Sequence, residues 1–111
     1  MPRTIVITGA ASGIGKATAE LCRAAGDIVI GVDLSGSDIS ADLSKPEGRA
    51  AMVAEVERMA PGGIDSLLAG AGISRPDPIS IAVNYYGAVA TLEGLRPLLA
   101  KSASPRAVAI C

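Results

Sequence analysis

Histidine, phenylalanine and tryptophan are missing from these 111 residues, and Tyr85 and Tyr86 are the only aromatic side chains. Without histidine there is no His general base, no imidazole metal ligand and no Ser-His or Cys-His nucleophile pair. Two adjacent tyrosines do not make a stacking groove for single-stranded nucleic acid. An excess of one charge is lacking too. Ten basic against eleven acidic residues leave a net −1, which gives no electrostatic footprint for nucleic acid. Two cysteines, Cys22 and Cys111, cannot form a disulfide framework and lack any Cys-x-x-Cys spacing for zinc or redox chemistry, so no metal site is expected. No signal-peptide pattern occupies Met1–Ile7 and no long uninterrupted apolar run occurs. A soluble, cytoplasmic chain without membrane contact is the expectation.

What is present is aliphatic. Half the residues are apolar, nearly all Ala, Val, Ile and Leu, and the thirteen glycines gather at particular places rather than forming a linker. The length suits one domain, residues 1–111, and no repeat or composition break divides it. Thr4–Thr8 is a β-branched run that suits a strand buried on both faces. Beyond a glycine-rich turn, Ile14, Ala17, Thr18, Leu21 and Ala25 recur at helical spacing, and Gly26 supplies the stop. Ile28–Val32 reads as a second strand ending at Asp33, and Ile39–Ala41 as a short third. Ser44 and Glu47, with Pro46 between them, form a capping-box start for a helix carrying Val53, Val56 and Ala60. Ile64–Ala69 is another strand, Pro76 and Pro78 precede a long helical pattern with a kink expected at Pro97, and Ala107–Ile110 closes the chain as a strand.

Continuously apolar strands alternating with amphipathic helices mean a doubly wound parallel sheet of Rossmann type, with helices on both faces. One link is awkward. A parallel crossover needs a dozen or more residues, and the stretch from Val32 to Ile39 is far shorter, so the third strand should be irregular or pair only briefly.

The first strand runs into Thr8-Gly9-Ala10-Ala11-Ser12-Gly13-Ile14-Gly15 and then a helix, the place for a phosphate-binding loop. Gly9 permits the tight turn, Gly13 lets the backbone approach a diphosphate, and Gly15 lets helix and strand pack closely. The helix start offers N–H groups and partial positive charge to the anion. Asp33 follows Gly15 by 18 residues at the second strand end, where a carboxylate accepts hydrogen bonds from a ribose 2′-hydroxyl. No cation occupies position 12 or 34 to neutralise a 2′-phosphate, so NAD is expected over NADP. A P-loop reading fails, because Ala10 stands where glycine is needed and Ala17 where Mg²⁺ chemistry needs a hydroxyl. A receiver-type domain lacks its acidic cluster at the first strand end.

The Thr-Gly-x-x-x-Gly-x-Gly pattern at Thr8–Gly15 resembles that of short-chain dehydrogenases/reductases. Asp42-Leu43 resembles the acidic-apolar pair that family places beside adenine, and Ala69-Gly70-Ala71-Gly72 its Asn-Asn-Ala-Gly strand end, with both asparagines replaced. Val83-Asn84 resembles the start of the helix carrying its catalytic asparagine. Within the family, the short Asp33-to-Asp42 link, the Ala41–Ser44 run and Asn84–Ala88 look most like the 3α-hydroxysteroid dehydrogenase/carbonyl reductase type. The resemblance implies cofactor contacts from Gly9, Ser12, Gly13, Ile14, Gly15, Asp33, Asp42, Leu43, Gly70, Ala71 and Gly72, and a proton-path role for Asn84. It further implies hydride transfer between NAD and a small-molecule secondary alcohol or ketone, of hydroxysteroid or carbonyl-compound type, in a parent enzyme that assembles with copies of itself. The family's tyrosine acid/base, with a lysine four residues on, has no counterpart: Val89 follows Tyr85 and Ala90 follows Tyr86. The expectation is therefore a doubly wound sheet cut after its fifth strand, binding cofactor but silent alone. A genuine short dinucleotide-binding module without catalysis is the alternative. The uncharged, proline-free edge Ala107–Ile110 favours the former. Lys16, Arg75, Cys22 and Cys111 are assigned to surface or packing.

Overall fold

The computed structural model describes residues 2–72 and 78–110. Its element order is β1 (Thr4–Thr8), α1 (Gly13–Ala24), β2 (Ile28–Asp33), β3 (Ile39–Ser40), α2 (Pro46–Met59) and β4 (Ser66–Ala69). A long helix follows, comprising α3 (Pro78–Ile81), a π-helical segment (Ala82–Gly87) and α4 (Ala88–Leu99), before β5 (Arg106–Ala109). The five strands form one parallel sheet in the order β3-β2-β1-β4-β5. This is the Rossmann-type arrangement, and β1 and β4 flank the point where the winding reverses.

Alternation along β1 distributes the core between two faces. Val6 points into a large cluster with Ile30, Val32, Met52, Val56, Leu67, Leu95 and Leu98, packed beneath α2 and α4. Ile5 and Ile7 point the other way into a small cluster with Ala10 and Ala19, beneath α1. The face α1 presents to the sheet consists of small residues. Gly15 and Ala19 are buried and Cys22 packs at their edge, whereas Ile14 and Leu21 are 65% and 73% exposed. The aliphatic spacing that reveals this helix is thus not its buried stripe.

Three other expectations change. Ser44 does not cap α2: Lys45 holds the cap position in extended geometry and no side chain caps the helix. The residue before a proline is pushed out of the α region, which starts the helix at Pro46, and the Ser44 hydroxyl is bound instead by Asp42. A departure from α-geometry that no sequence pattern announced falls at Ala82–Gly87, and Pro97 lies inside α4, which continues to Leu99. Arg49 donates to the Ala82 carbonyl at 3.0 Å, at the first residue of the π segment. The last strand begins at Arg106, so this edge carries a charge, and all four of its residues are exposed. The brief third strand has two residues, pairing Val32 with Ile39 and Asp33 with Ser40. Arg75, Pro76 and Cys111 lie outside the described residues. No helix among the described residues is long and apolar enough to cross a membrane.

Candidate functional site

Strand β1 ends at Thr8, and everything at the site is hung from that end. Thr8 is buried, and its hydroxyl oxygen accepts the N–H groups of Gly70 at 3.0 Å and Ala71 at 3.1 Å. This ties the end of β4 to that of β1. On the other side the Val32 carbonyl accepts the N–H groups of Gly9 at 2.8 Å and Ala10 at 3.2 Å. Three parallel strands therefore finish together, and a cavity of about 470 Å³ opens beyond them.

The glycine loop shapes one wall. Gly9 has φ +75°, and a Cβ there would stand 2.8 Å from the Gly70 carbonyl oxygen. Gly13 has φ +57°, and a Cβ there would enter open space. Gly15 lies so close to the Gly9 carbonyl that no side chain fits between loop and helix. Bare backbone thus faces the cavity at the start of α1. Ser12 occupies the cap position without a side-chain cap hydrogen bond, and the first turn carries no acidic residue. N–H groups and the positive end of the helix dipole are left for an anion.

Asp33 sets the far end of that wall. One carboxylate oxygen accepts the Ala11 N–H at 3.0 Å and the other the Leu34 N–H at 2.7 Å. Each oxygen retains a further acceptor site. Asp42 is held differently: one oxygen accepts the Ser44 hydroxyl at 2.5 Å and the Ser44 N–H at 3.0 Å. Those two bonds, the hydroxyl foremost, hold its carboxyl below the usual carboxylate range.

All eleven residues expected at a cofactor site line this one cavity: Gly9, Ser12, Gly13, Ile14, Gly15, Asp33, Asp42, Leu43, Gly70, Ala71 and Gly72. Asn84 does not line it but stands beside it, its Oδ1 3.2 Å from where a Cβ on Gly72 would lie. The expected Asn84-Gly87-Ala88-Thr91 stripe is broken by the π segment, with Gly87 and Thr91 buried and Asn84 exposed. Sequence reasoning missed Val32, Leu34, Ala41, Ile79, Val83 and Ile110, which supply apolar lining. Leu34 carried a signal, as a large apolar residue directly after an acidic strand end. Ile79 and Ile110 carried none, because only the folded chain brings them to the same cavity.

No family model matches the sequence. Individual relatives are clear. The chain is 38% identical over 109 residues to a 3-alpha-hydroxysteroid dehydrogenase/carbonyl reductase of Comamonas testosteroni, covering 96% of this chain and 42% of that one. It superposes with a TM-score of 0.92 on the 3-alpha-hydroxysteroid dehydrogenase of Pseudomonas sp. B-0831 solved with NADH, at 45% identity, covering 96% of this chain and 46% of that one. Its homologues and structural neighbours are short-chain dehydrogenases. Another solved member, a short-chain dehydrogenase/reductase from Brucella melitensis, matches at 31% identity and TM-score 0.76, over 87% of this chain and 52% of that one. This short-chain dehydrogenase-like chain spans less than half the length of its Comamonas and Pseudomonas relatives.

Proposed function

We propose that the chain is the NAD-binding part of a short-chain oxidoreductase that moves a hydride between a secondary alcohol or ketone and the nicotinamide. The observation that carries this reading is the convergence of all eleven candidate residues on one cavity, with bare glycine backbone at the α1 N-terminus and a carboxylate at the end of β2. The diphosphate fits the backbone at Gly13, where a side chain would otherwise project, and the ribose hydroxyls fit the free acceptor sites of Asp33. Leu34, Ala41 and Leu43 offer apolar lining suited to the adenine. When bound, NAD supplies the hydride acceptor.

The residues present bind and orient; Asn84, beside Gly72, holds the start of a proton path. NAD is favoured over NADP because a 2′-phosphate would meet the Asp33 carboxylate with no cation at position 12 or 34. A hydroxysteroid or related carbonyl compound is the substrate class suggested by the Comamonas and Pseudomonas relatives. The 111 residues alone bind cofactor without turnover, since neither tyrosine has a lysine four residues on.

Titration with NADH and NADPH, followed by nucleotide fluorescence, tests the reading. NADH should bind more tightly, and Asp33→Ala should weaken it about 10- to 100-fold through loss of charge-assisted hydrogen bonds. Equal or tighter NADPH binding would reverse the assignment of Asp33. Oxidation of secondary alcohols above background would refute the claim that this chain is silent.

A further inference from the structure

We propose that Asp38 is a positioning residue for cofactor selection, holding the β2–β3 link so that Asp33 keeps the geometry that distinguishes NADH from NADPH. This inference rests on the dinucleotide reading of the main cavity.

The link from Leu34 to Asp38 has no room for a crossover helix, and something else must hold it in place. Asp38 does so from its far end. Its Oδ2 accepts the Gly31 N–H at 2.8 Å, occupying the outer edge of β2 just before β3 begins to pair. The same oxygen meets the Arg23 guanidinium on α1 at 3.4 Å, an ion pair with half its surface in water. Asp38 therefore joins the strand that ends in Asp33 to the helix that starts at the glycine loop.

The packing beneath the link is close. A Cβ on Gly31 would lie 3.0 Å from Ser37 Oγ and 3.0 Å from Ala10 Cβ, so the link sits against the glycine loop with little slack. Asp33, at the near end of the link, bonds to Ala11 in that loop and to Leu34 in the link. Releasing Asp38 frees the link, and with it the Leu34 N–H that orients the Asp33 carboxylate. The Gly31 bond is the stronger restraint, because the Arg23 pair is longer and solvated.

The test is NADH and NADPH titration of Asp38→Ala, Asp38→Asn, Arg23→Gln and Gly31→Ala, with Asp33→Ala and the Asp33→Ala/Asp38→Ala double variant. Asp38→Ala should lower the preference for NADH about five- to tenfold. Asp38→Asn, which still accepts from Gly31, should stay within about twofold of the unsubstituted chain, as should Arg23→Gln. Gly31→Ala leaves Asp38 chemically intact but pushes on Ser37 and equally on Ala10, and it should lower the preference too. In the Asp33→Ala background the Asp38 effect on preference should vanish, the sign that it acts through Asp33. An unchanged preference in both Asp38→Ala and Gly31→Ala would overturn the proposal, as would an undiminished Asp38 effect without Asp33. If the unsubstituted chain bound neither nucleotide, the dinucleotide reading would fall first and this inference with it.

Discussion

The two faces of the sheet solve the same packing problem with different residues. Beneath α2 and α4, large side chains such as Met52, Leu67 and Leu95 interdigitate and are fully buried or nearly so. Beneath α1, contact is made through Gly15 and Ala19, and the helix lies close to β1 with its larger residues turned outward. Volume stabilises one face and proximity organises the other. Proximity is what function needs, because a helix that starts hard against a strand end brings its N–H groups to the cavity.

The comparison is open to attack at four places, taken from the largest expected effect downward. Leu95→Ala removes a fully buried side chain from the α4 face and should cost about 3–4 kcal/mol in urea unfolding, with the NADH affinity of the folded fraction unchanged. Gly15→Ala adds one carbon where the Gly9 carbonyl lies. It should cost about 2–3 kcal/mol and, unlike Leu95→Ala, abolish measurable NADH binding by the folded protein. Retained binding would mean that close approach is not what organises the site.

A smaller, graded effect concerns pH. The Asp65 carboxyl is held below its usual range by the Thr4 N–H, then by the Ser102 hydroxyl, and Asp42 likewise by Ser44. A carboxyl whose pKa is lower in the folded chain contributes stability above the unfolded value of about 3.9, and that contribution is lost as pH falls through the folded value. Urea midpoints should therefore be level near pH 6 and decline below about pH 4, less steeply in Asp65→Asn. The smallest effect is expected at Leu21, 73% exposed on the outer side of α1. Leu21→Gln should change stability by less than about 0.5 kcal/mol, and a larger loss would show that this helix does depend on its aliphatic residues.

Much of the site was legible because its chemistry is local. A glycine loop after a β-branched run and before a helix needs only a few consecutive residues to declare itself, as does an aspartate at a strand end. Ser44 was misread because a capping box is also local, and the rule for the residue preceding proline competes with it; the hydroxyl found Asp42 instead. The π segment was not legible, because no local residue pattern marks it and the Arg49 contact to the Ala82 carbonyl joins positions 33 apart.

By itself, then, the sequence determined the strand and helix alternation, the Rossmann-type class, the glycine loop and the acidic strand end. Hydrophobic period and backbone freedom are properties of short stretches. Tertiary structure alone decided that α1 packs by its small residues and that Ile79 and Ile110 line the same cavity as Gly13. It also decided that Asp38 reaches back to Gly31 across a link too short for a helix. Each of these depends on which distant groups come within a few ångströms, and only the assembled sheet and its helices set those distances.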